Sequence, residues 1–261
     1  MVSAELLASN IEQFRLNVAT QQVMPVYWIN TPDYANGFKG AKGSPEELQA
    51  EIDRIIEHCQ SVPEEINVND TESARNFLYR NQVGIDCSAF VYHLIDKTLK
   101  SERDESFRKY LYVPKEGVIT ASTKDSWRVE HELTPTEIAE LPPQVPLEWV
   151  CKTFNKEPAS QVNVARLCND EASSEVAELE EAQPGDLVSM KKNGKPKHVG
   201  VIVKTDGKEW EVWDSYREDA GYGGIMPHIV KIIGDDVVHW SKFDANRYEG
   251  FIIRRPIAFQ K

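Results

Sequence analysis

The sequence predicts an α+β protein in which one helix, with a cysteine in its first turn, packs on an antiparallel β-sheet. Two observations predict it. After the turn-prone run Arg80-Asn81-Gln82-Val83-Gly84, apolar residues recur at helical spacing as Phe90, Val91, Leu94 and Ile95. Further on, short apolar runs alternate with the turn signals Pro184-Gly185-Asp186, Asn193-Gly194 and Thr205-Asp206-Gly207. Tight turns of this kind join antiparallel neighbours.

Residues 1–20 set Leu6, Leu7, Ile11, Phe14 and Leu16 among polar residues, the pattern of an amphipathic helix. This stretch lacks the basic start and continuous apolar core of a signal peptide. No run in the chain is long enough to span a bilayer. Ser44-Pro45-Glu46-Glu47 is a helix start, and Leu48, Ile52, Ile55 and Ile56 follow as an apolar stripe that takes Cys59 into the core. Asn69-Asp70-Thr71-Glu72 starts a second helix through Ala74, Phe77 and Leu78. Asp86 then stands near the N-cap of the helix that carries Cys87. Residues 101–181 form a mixed region punctuated by Pro114, Pro135, Pro142, Pro143 and Pro146. Its acidic end, residues 170–181, reads as a solvated helix.

The strands follow. Leu187-Val188-Ser189-Met190 is one, and Asn193-Gly194 turns it back. His198-Val199-Gly200-Val201-Ile202-Val203 is nearly all apolar and reads as a central strand. Residues 209–214 return as a third, ending in Asp214. A three-residue loop with Gly207 in the left-handed conformation pairs Lys204 with Lys208. Ile202 then faces Trp210, Gly200 faces Val212, and His198 faces Asp214. A two-residue loop would put Ser215 opposite His198 and turn Asp214 to the other face. The first register groups the apolar residues and gives the imidazole a carboxylate.

A helix N-terminus offers free N–H groups and the positive end of a dipole, and both favour a thiolate, the nucleophilic form. Cys87 as nucleophile, His198 as base and Asp214 as the acid that orients the base make a catalytic triad. The Cys87 N–H is the natural first oxyanion donor. Each residue alone has a plainer reading: a small core residue, a packed histidine, a turn aspartate. Their ordered combination carries the argument.

A chain of 261 residues can bury one good core. Hydrophobic residues at 41% and charged residues at 28% are the balance of a soluble globular protein. The formal net charge of -12 argues against nucleic acid as a partner and offers no attraction to anionic membranes. Lys191, Lys192, Lys195 and Lys197 form one basic hairpin tip beside His198, either a solubilising loop or a contact for an acidic peptide. Cys59, Cys151 and Cys168 have no metal-type spacing, so neither a metal nor another cofactor is expected. Cys151 and Cys168 are free thiols, or pair if the protein is exported. His58, His93, His131, His228 and His239 have no partner that sequence reveals.

Asp86-Cys87-Ser88-Ala89-Phe90-Val91, Pro184-Gly185-Asp186-Leu187-Val188, His198-Val199-Gly200-Val201 and the closing Gly250-Phe251-Ile252-Ile253-Arg254-Arg255 together resemble the NlpC family of cell-wall cysteine peptidases. The resemblance implies a papain-like fold and cleavage of stem peptides in bacterial peptidoglycan, often between D-glutamate and a diamino acid. It maps the catalytic cysteine and histidine onto Cys87 and His198. The third member falls on Asp214, where His, Asn or Gln is more usual. It implies that Asp86 and Ser88 bind or orient substrate. Ala89 stands where the family has glycine. The Tyr-x-x-Gly-Gly run before the cysteine is absent, and its tyrosine often helps form the oxyanion hole. Tyr79 is the nearest replacement, with Tyr27 and Tyr34 further away. The implied organisation is a mostly helical extension over residues 1–70, then a catalytic domain over 71–261 interrupted by an insertion at about 101–181. Such an insertion is either a wall of the cleft or a remote subdomain. The cell wall, or a phage-lysin-like setting, goes with this function, and the cytoplasm otherwise. Two other classes stay open: an amidase or acyltransferase using the same triad, and an inactive binding module of the same fold.

Overall fold

The computed structural model of the chain describes residues 2–29, 41–59, 68–123, 133–154, 156, 158–217, 223–234, 237–240 and 248–260. Tyr34 and His131 lie outside the described residues. Helix α1 (Ala4–Glu12) opens on Ser3, whose hydroxyl accepts from the Leu6 N–H at 3.1 Å. The helix expected over residues 1–20 ends there. Leu16 and Val18 belong instead to β1 (Leu16–Val18), which pairs with β2 (Gln21–Val23). Both are buried while Asn17 between them is exposed, the period of a strand. Ala19 takes a positive φ of 53° in the turn. β3 (Val26–Tyr27) follows, and α2 (Pro45–Cys59) buries Leu48, Ile52 and Ile55. Helix α3 (Thr71–Arg80) starts on a reciprocal cap: Asp70 accepts from the Ser73 N–H, and Ser73 Oγ accepts from the Asp70 N–H. β4 (Gly84–Ile85) runs parallel to β3 and leads into α4 (Cys87–Arg103).

In α4, Phe90, Val91, Leu94, Ile95 and Leu99 are fully buried. Each burial is worth roughly 1.5–3 kcal/mol relative to exposure. Phe14 meets Phe90 edge-on at 5.1 Å, so the N-terminal segment packs in the same core as α4. Short elements come next: β5 (Tyr112–Pro114), α5 (Lys115–Thr123), α6 (Pro135–Glu140), β6 (Gln144–Pro146), α7 (Leu147–Phe154) and α8 (Val164–Leu167), with β5 paired to β6.

The acidic stretch at residues 170–181 is not a helix. It contains β7 (Ser173–Val176) and a 3-10 turn at Leu179–Glu181. Ser173, Val176 and Leu179 are buried while Glu175, Glu178 and Glu180 are exposed. Arg254 fixes it, with Nε donating to Ser173 Oγ at 3.1 Å and Nη2 to Asp170 Oδ1 at 2.7 Å. A ladder on a sheet edge and a buried guanidinium outweigh helix propensity here.

The last elements are β8 (Leu187–Lys192), β9 (Lys195–Thr205), β10 (Glu209–Tyr216), β11 (Gly224–Gly234), β12 (Val237–Trp240) and β13 (Gly250–Pro256). With β7 they form a seven-stranded antiparallel sheet in the order β12-β11-β10-β9-β8-β13-β7. Asn193 and Gly194 take φ of 54° and 67° in the first hairpin turn. At the Pro184-Gly185-Asp186 turn, Asp186 holds Arg255 of β13 through two hydrogen bonds of 2.9 and 2.8 Å. His198 and Asp214 are interior to their strands, not at the ends.

The predicted β9–β10 register is wrong in detail. Asp206 Oδ1 accepts the N–H groups of Lys208 and Glu209 at 2.9 and 2.8 Å, which widens the loop. Trp210 therefore faces Thr205, and Glu211 faces Lys204. A bulge at Val203 then slips the ladder, so that Val212 faces Ile202 and Trp213 faces Val201. Continuing that register sets Asp214 beside Gly200 and Tyr216 opposite His198. The side-chain parity is nonetheless the expected one. Val199, Val201 and Val203 join the core shared with α4. Ile202, Trp210 and Val212 form a second core with Val188, Met190, Val230 and Ile253.

Gly200 makes this packing possible. A Cβ there would lie 2.8 Å from Val212 Cγ1, 3.1 Å from Trp213 O and 3.2 Å from Asp214 Cβ. Gly200→Ala should therefore destabilise the fold by about 1–3 kcal/mol, the usual cost of overpacking. Gly250→Ala, with nothing within 4 Å, should cost under about 0.5 kcal/mol. Urea denaturation midpoints of the two variants would check this. Equal midpoints would contradict it.

Candidate active site

Cys87 is placed by a short parallel ladder. Val26 pairs with Gly84 and Tyr27 with Ile85. The strands touch so closely that a Cβ on Gly84 would sit 2.4 Å from Val26 O. The Asp86 N–H donates to Ala41 O at 3.0 Å, which fixes the residue before the helix. Asp86 is the N-cap, with Oδ1 accepting from the Ala89 N–H at 2.8 Å and from Ser88 Oγ at 2.9 Å. Cys87 is thus the first residue of α4, at 7% exposure. A helix leaves its first N–H groups without intrahelical acceptors.

His198 and Asp214 meet on one face of the sheet. His198 Nε2 lies 2.9 Å from Asp214 Oδ2, with 4% and 0% of the two residues exposed. The other carboxylate oxygen takes a partner that the sequence did not reveal: His228 Nε2 lies 3.0 Å from Asp214 Oδ1. An ionised carboxylate only accepts, so both rings present Nε2–H to it. That leaves Nδ1 of His198 for Cys87, whose side chain is electrostatically coupled to the ring. Tyr216 packs edge-on to His198 and His228, at 5.7 and 5.9 Å, and Tyr248 lies tilted against His198 at 6.1 Å.

Burial alone would lower the His198 pKa. The negative charges of Cys87 and Asp214, with hydrogen bonds to both, outweigh it and push the imidazole up to about 10. Burial pushes Asp214 up, but His198 and His228 together hold it below the usual carboxylate range. The arrangement is a protonated imidazole between the Cys87 sulfur and a carboxylate.

The remaining expected residues behave differently. Asp86 and Ser88 are adjacent to Cys87 but are already engaged by Lys42. Its Nζ lies 2.7 Å from Asp86 Oδ2 and 2.7 Å from Ser88 Oγ. Tyr79 is 41% exposed on α3, with its ring edge-on to Trp28 at 5.4 Å. The tyrosine electrostatically coupled to Cys87 is Tyr27 on β3. Its burial, then the negative charges of Cys87, Asp86 and Tyr248, hold its phenol well above the usual range. None of the four cysteines, Cys59, Cys87, Cys151 and Cys168, forms a disulfide. Sequence reasoning missed Lys42 and the role of His228, and it ranked Tyr27 behind Tyr79. A weak signal existed for His228, which shares the period-two face of Val230 and Ile232. Pro227 beside it argues against a strand.

The model of the NlpC/P60 family matches residues 74–217, more than half of the chain. That span holds Cys87, His198 and Asp214, and it leaves out Tyr27, Lys42 and His228. Members of the family are generally cysteine peptidases and amidases acting on peptidoglycan. No curated protein and no solved structure matches the chain.

Two outcomes follow from the geometry. With its pKa raised from 6.5 to about 10, His198 keeps its proton through neutral pH and loses it as pH rises through about 10. The ion pair's contribution to stability is full below about 6.5 and is lost over the same alkaline range. The falling limb of kcat/KM against pH should lie near 10. A limb near 6.5 would contradict the ion pair. His228→Ala removes the donor to Asp214 Oδ1. It should lower kcat by up to about 100-fold, the cost of misplacing a reacting group by about 1 Å. Alkylation of Cys87 by iodoacetamide should persist in the variant. An unchanged kcat would show that His228 only fills space.

Proposed function

We propose that the chain, which belongs to the NlpC/P60 family, hydrolyses amide bonds in peptidoglycan stem peptides with Cys87, His198 and Asp214 as its triad. The observation that carries the reading is the buried His198–Asp214 hydrogen bond, with the imidazole coupled to Cys87 at the start of α4. α4 packed against β9 and β10 supports a papain-like arrangement, with the helix-borne nucleophile facing a strand-borne base.

In this reading Cys87 Sγ bonds to the scissile carbonyl carbon. The oxyanion is met by the Cys87 N–H and by the Tyr27 hydroxyl, which takes the role that Tyr79 is too exposed to fill. His198 gives its proton to the amide nitrogen as the C–N bond breaks, leaving a thioester and a free amine. Water then attacks the thioester and passes a proton to His198. The S–C bond breaks, and thiolate and imidazolium are restored. Asp214 stays ionised and holds the imidazole throughout. The bond best matched to the family is that between D-glutamate and a diamino acid. Among the described residues no helix is long and apolar enough to cross a membrane.

Digestion of purified sacculi, read by mass spectrometry, tests this. Products should carry one new amine and one new carboxylate at the cleaved stem. Cys87→Ala should abolish them, and Cys59→Ala, Cys151→Ala and Cys168→Ala should retain most activity. Transfer of the acyl group to an added acceptor, without hydrolysis, would move the chain to the acyltransferases. A Cys87 that resists thiol-reactive probes would leave a binding module.

A further inference from the structure

We propose that Lys42 supplies, from within the chain, the cation for the Asp86–Ser88 position beside the nucleophile, so that the substrate brings no ammonium group there. The inference rests on Cys87 as nucleophile. It narrows the substrate class to acyl donors whose nearby amine is blocked, such as N-acylated peptides.

By their chemistry, a carboxylate just before the nucleophile and a hydroxyl just after it make an acceptor pair for an ammonium. In this chain the pair is full. Lys42 Nζ lies 2.7 Å from Asp86 Oδ2, 2.7 Å from Ser88 Oγ and 2.9 Å from Val162 O. An ammonium has three N–H donors, and all three are placed. The other Asp86 oxygen already accepts from Ser88 Oγ and the Ala89 N–H, at 2.9 and 2.8 Å. Lys42 is 9% exposed, and its backbone is fastened as well. Its carbonyl accepts from His93 Nε2 at 3.0 Å. The preceding Ala41 donates to Gly84 O at 3.1 Å and accepts from the Asp86 N–H at 3.0 Å. A substrate amine entering here would have to strand a buried ammonium, which costs more than a replacement bond returns. A second cation beside Lys42 would also be repelled.

The test needs no identified substrate. Cys87 is alkylated with neutral iodoacetamide and with cationic 2-bromoethylammonium. In each case the sulfur bonds to carbon and halide leaves. Labelling of Cys87 is followed by peptide mass spectrometry and divided by the rate with free cysteine. The wild-type cationic-to-neutral ratio should be 1 or less. Lys42→Met should raise the ratio about tenfold or more, and Lys42→Arg should keep it at the wild-type level. A wild-type ratio of about ten overturns the proposal. So does an unchanged ratio in Lys42→Met that retains the native circular dichroism spectrum. A purely structural role would slow both probes together. Where Lys42→Met does not fold, the wild-type ratio decides.

The same stem peptide with a free or an acetylated amine adds a second reading. Wild type should cleave the acetylated form at least as fast, and cleavage of the free form alone overturns the proposal. Cleavage of neither counts against the peptidoglycan reading, while the alkylation ratio still decides Lys42.

Discussion

Asp214 is the constraint around which the sheet is arranged. A carboxylate with no exposed surface must be fully hydrogen-bonded or give up its charge. Its two oxygens are served by two imidazoles, one on each neighbouring strand: His198 on β9 and His228 on β11. The strand order around β10 is therefore also the order of the site. His198 spends Nε2 on the carboxylate, so the thiol can meet only Nδ1. His228 makes the carboxylate's position independent of His198. The imidazole can then change protonation during turnover while its partner stays held.

The bulge at Val203 matters as much as the residues themselves. Along β10, Trp210, Val212 and Asp214 share one face. On β9 the ladder begins with Thr205 on that face, and an unbroken alternation would continue through Val203, Val201 and Val199. His198 would then point to the sheet face opposite Asp214. One extra residue shifts the alternation, so Ile202, Gly200 and His198 come to the face of Asp214 while the valines turn to the helices. The same slip separates two apolar cores and assembles the charged site at the edge of one of them.

This explains how much was legible. The helix after Asp86, the turns at Gly185, Gly194 and Gly207, and the last strand depend on local periodicity and on residues that tolerate particular backbone angles. These signals lie within a few residues of one another. The His198–Asp214 contact was reached through a register with two errors that cancel: a loop wider than expected by one residue, and a bulge that restores the parity. The acidic stretch at 170–181 was misread because its partner, Arg254, lies about eighty residues away. Lys42 and His228 escaped for the same reason, and Tyr27 was ranked behind Tyr79. Their roles come from long-range pairing, β3 against β4, the segment at Ala41 against Gly84, and β11 against β10, and no periodic pattern encodes such pairing.

The electrostatics of the site depend on those missed residues. A carboxylate immediately before a nucleophilic thiolate is a liability. Two like charges 4 Å apart repel by about 4 kcal/mol at an effective dielectric constant of about 20. Asp86 is nonetheless required, because it caps α4 and so orients the first turn that presents Cys87. Lys42 resolves the conflict: its ammonium on the outer oxygen cancels the charge and leaves the capping oxygen in place. Lys42 with Asp86, and His198 with Asp214, are then two opposite-charge pairs flanking Cys87. Cys87 then lies between His198 and a cap whose charge Lys42 cancels. Nucleophile and helix start thus fit in one buried place, and Lys42, outside the family-matched span, is what makes the fit possible.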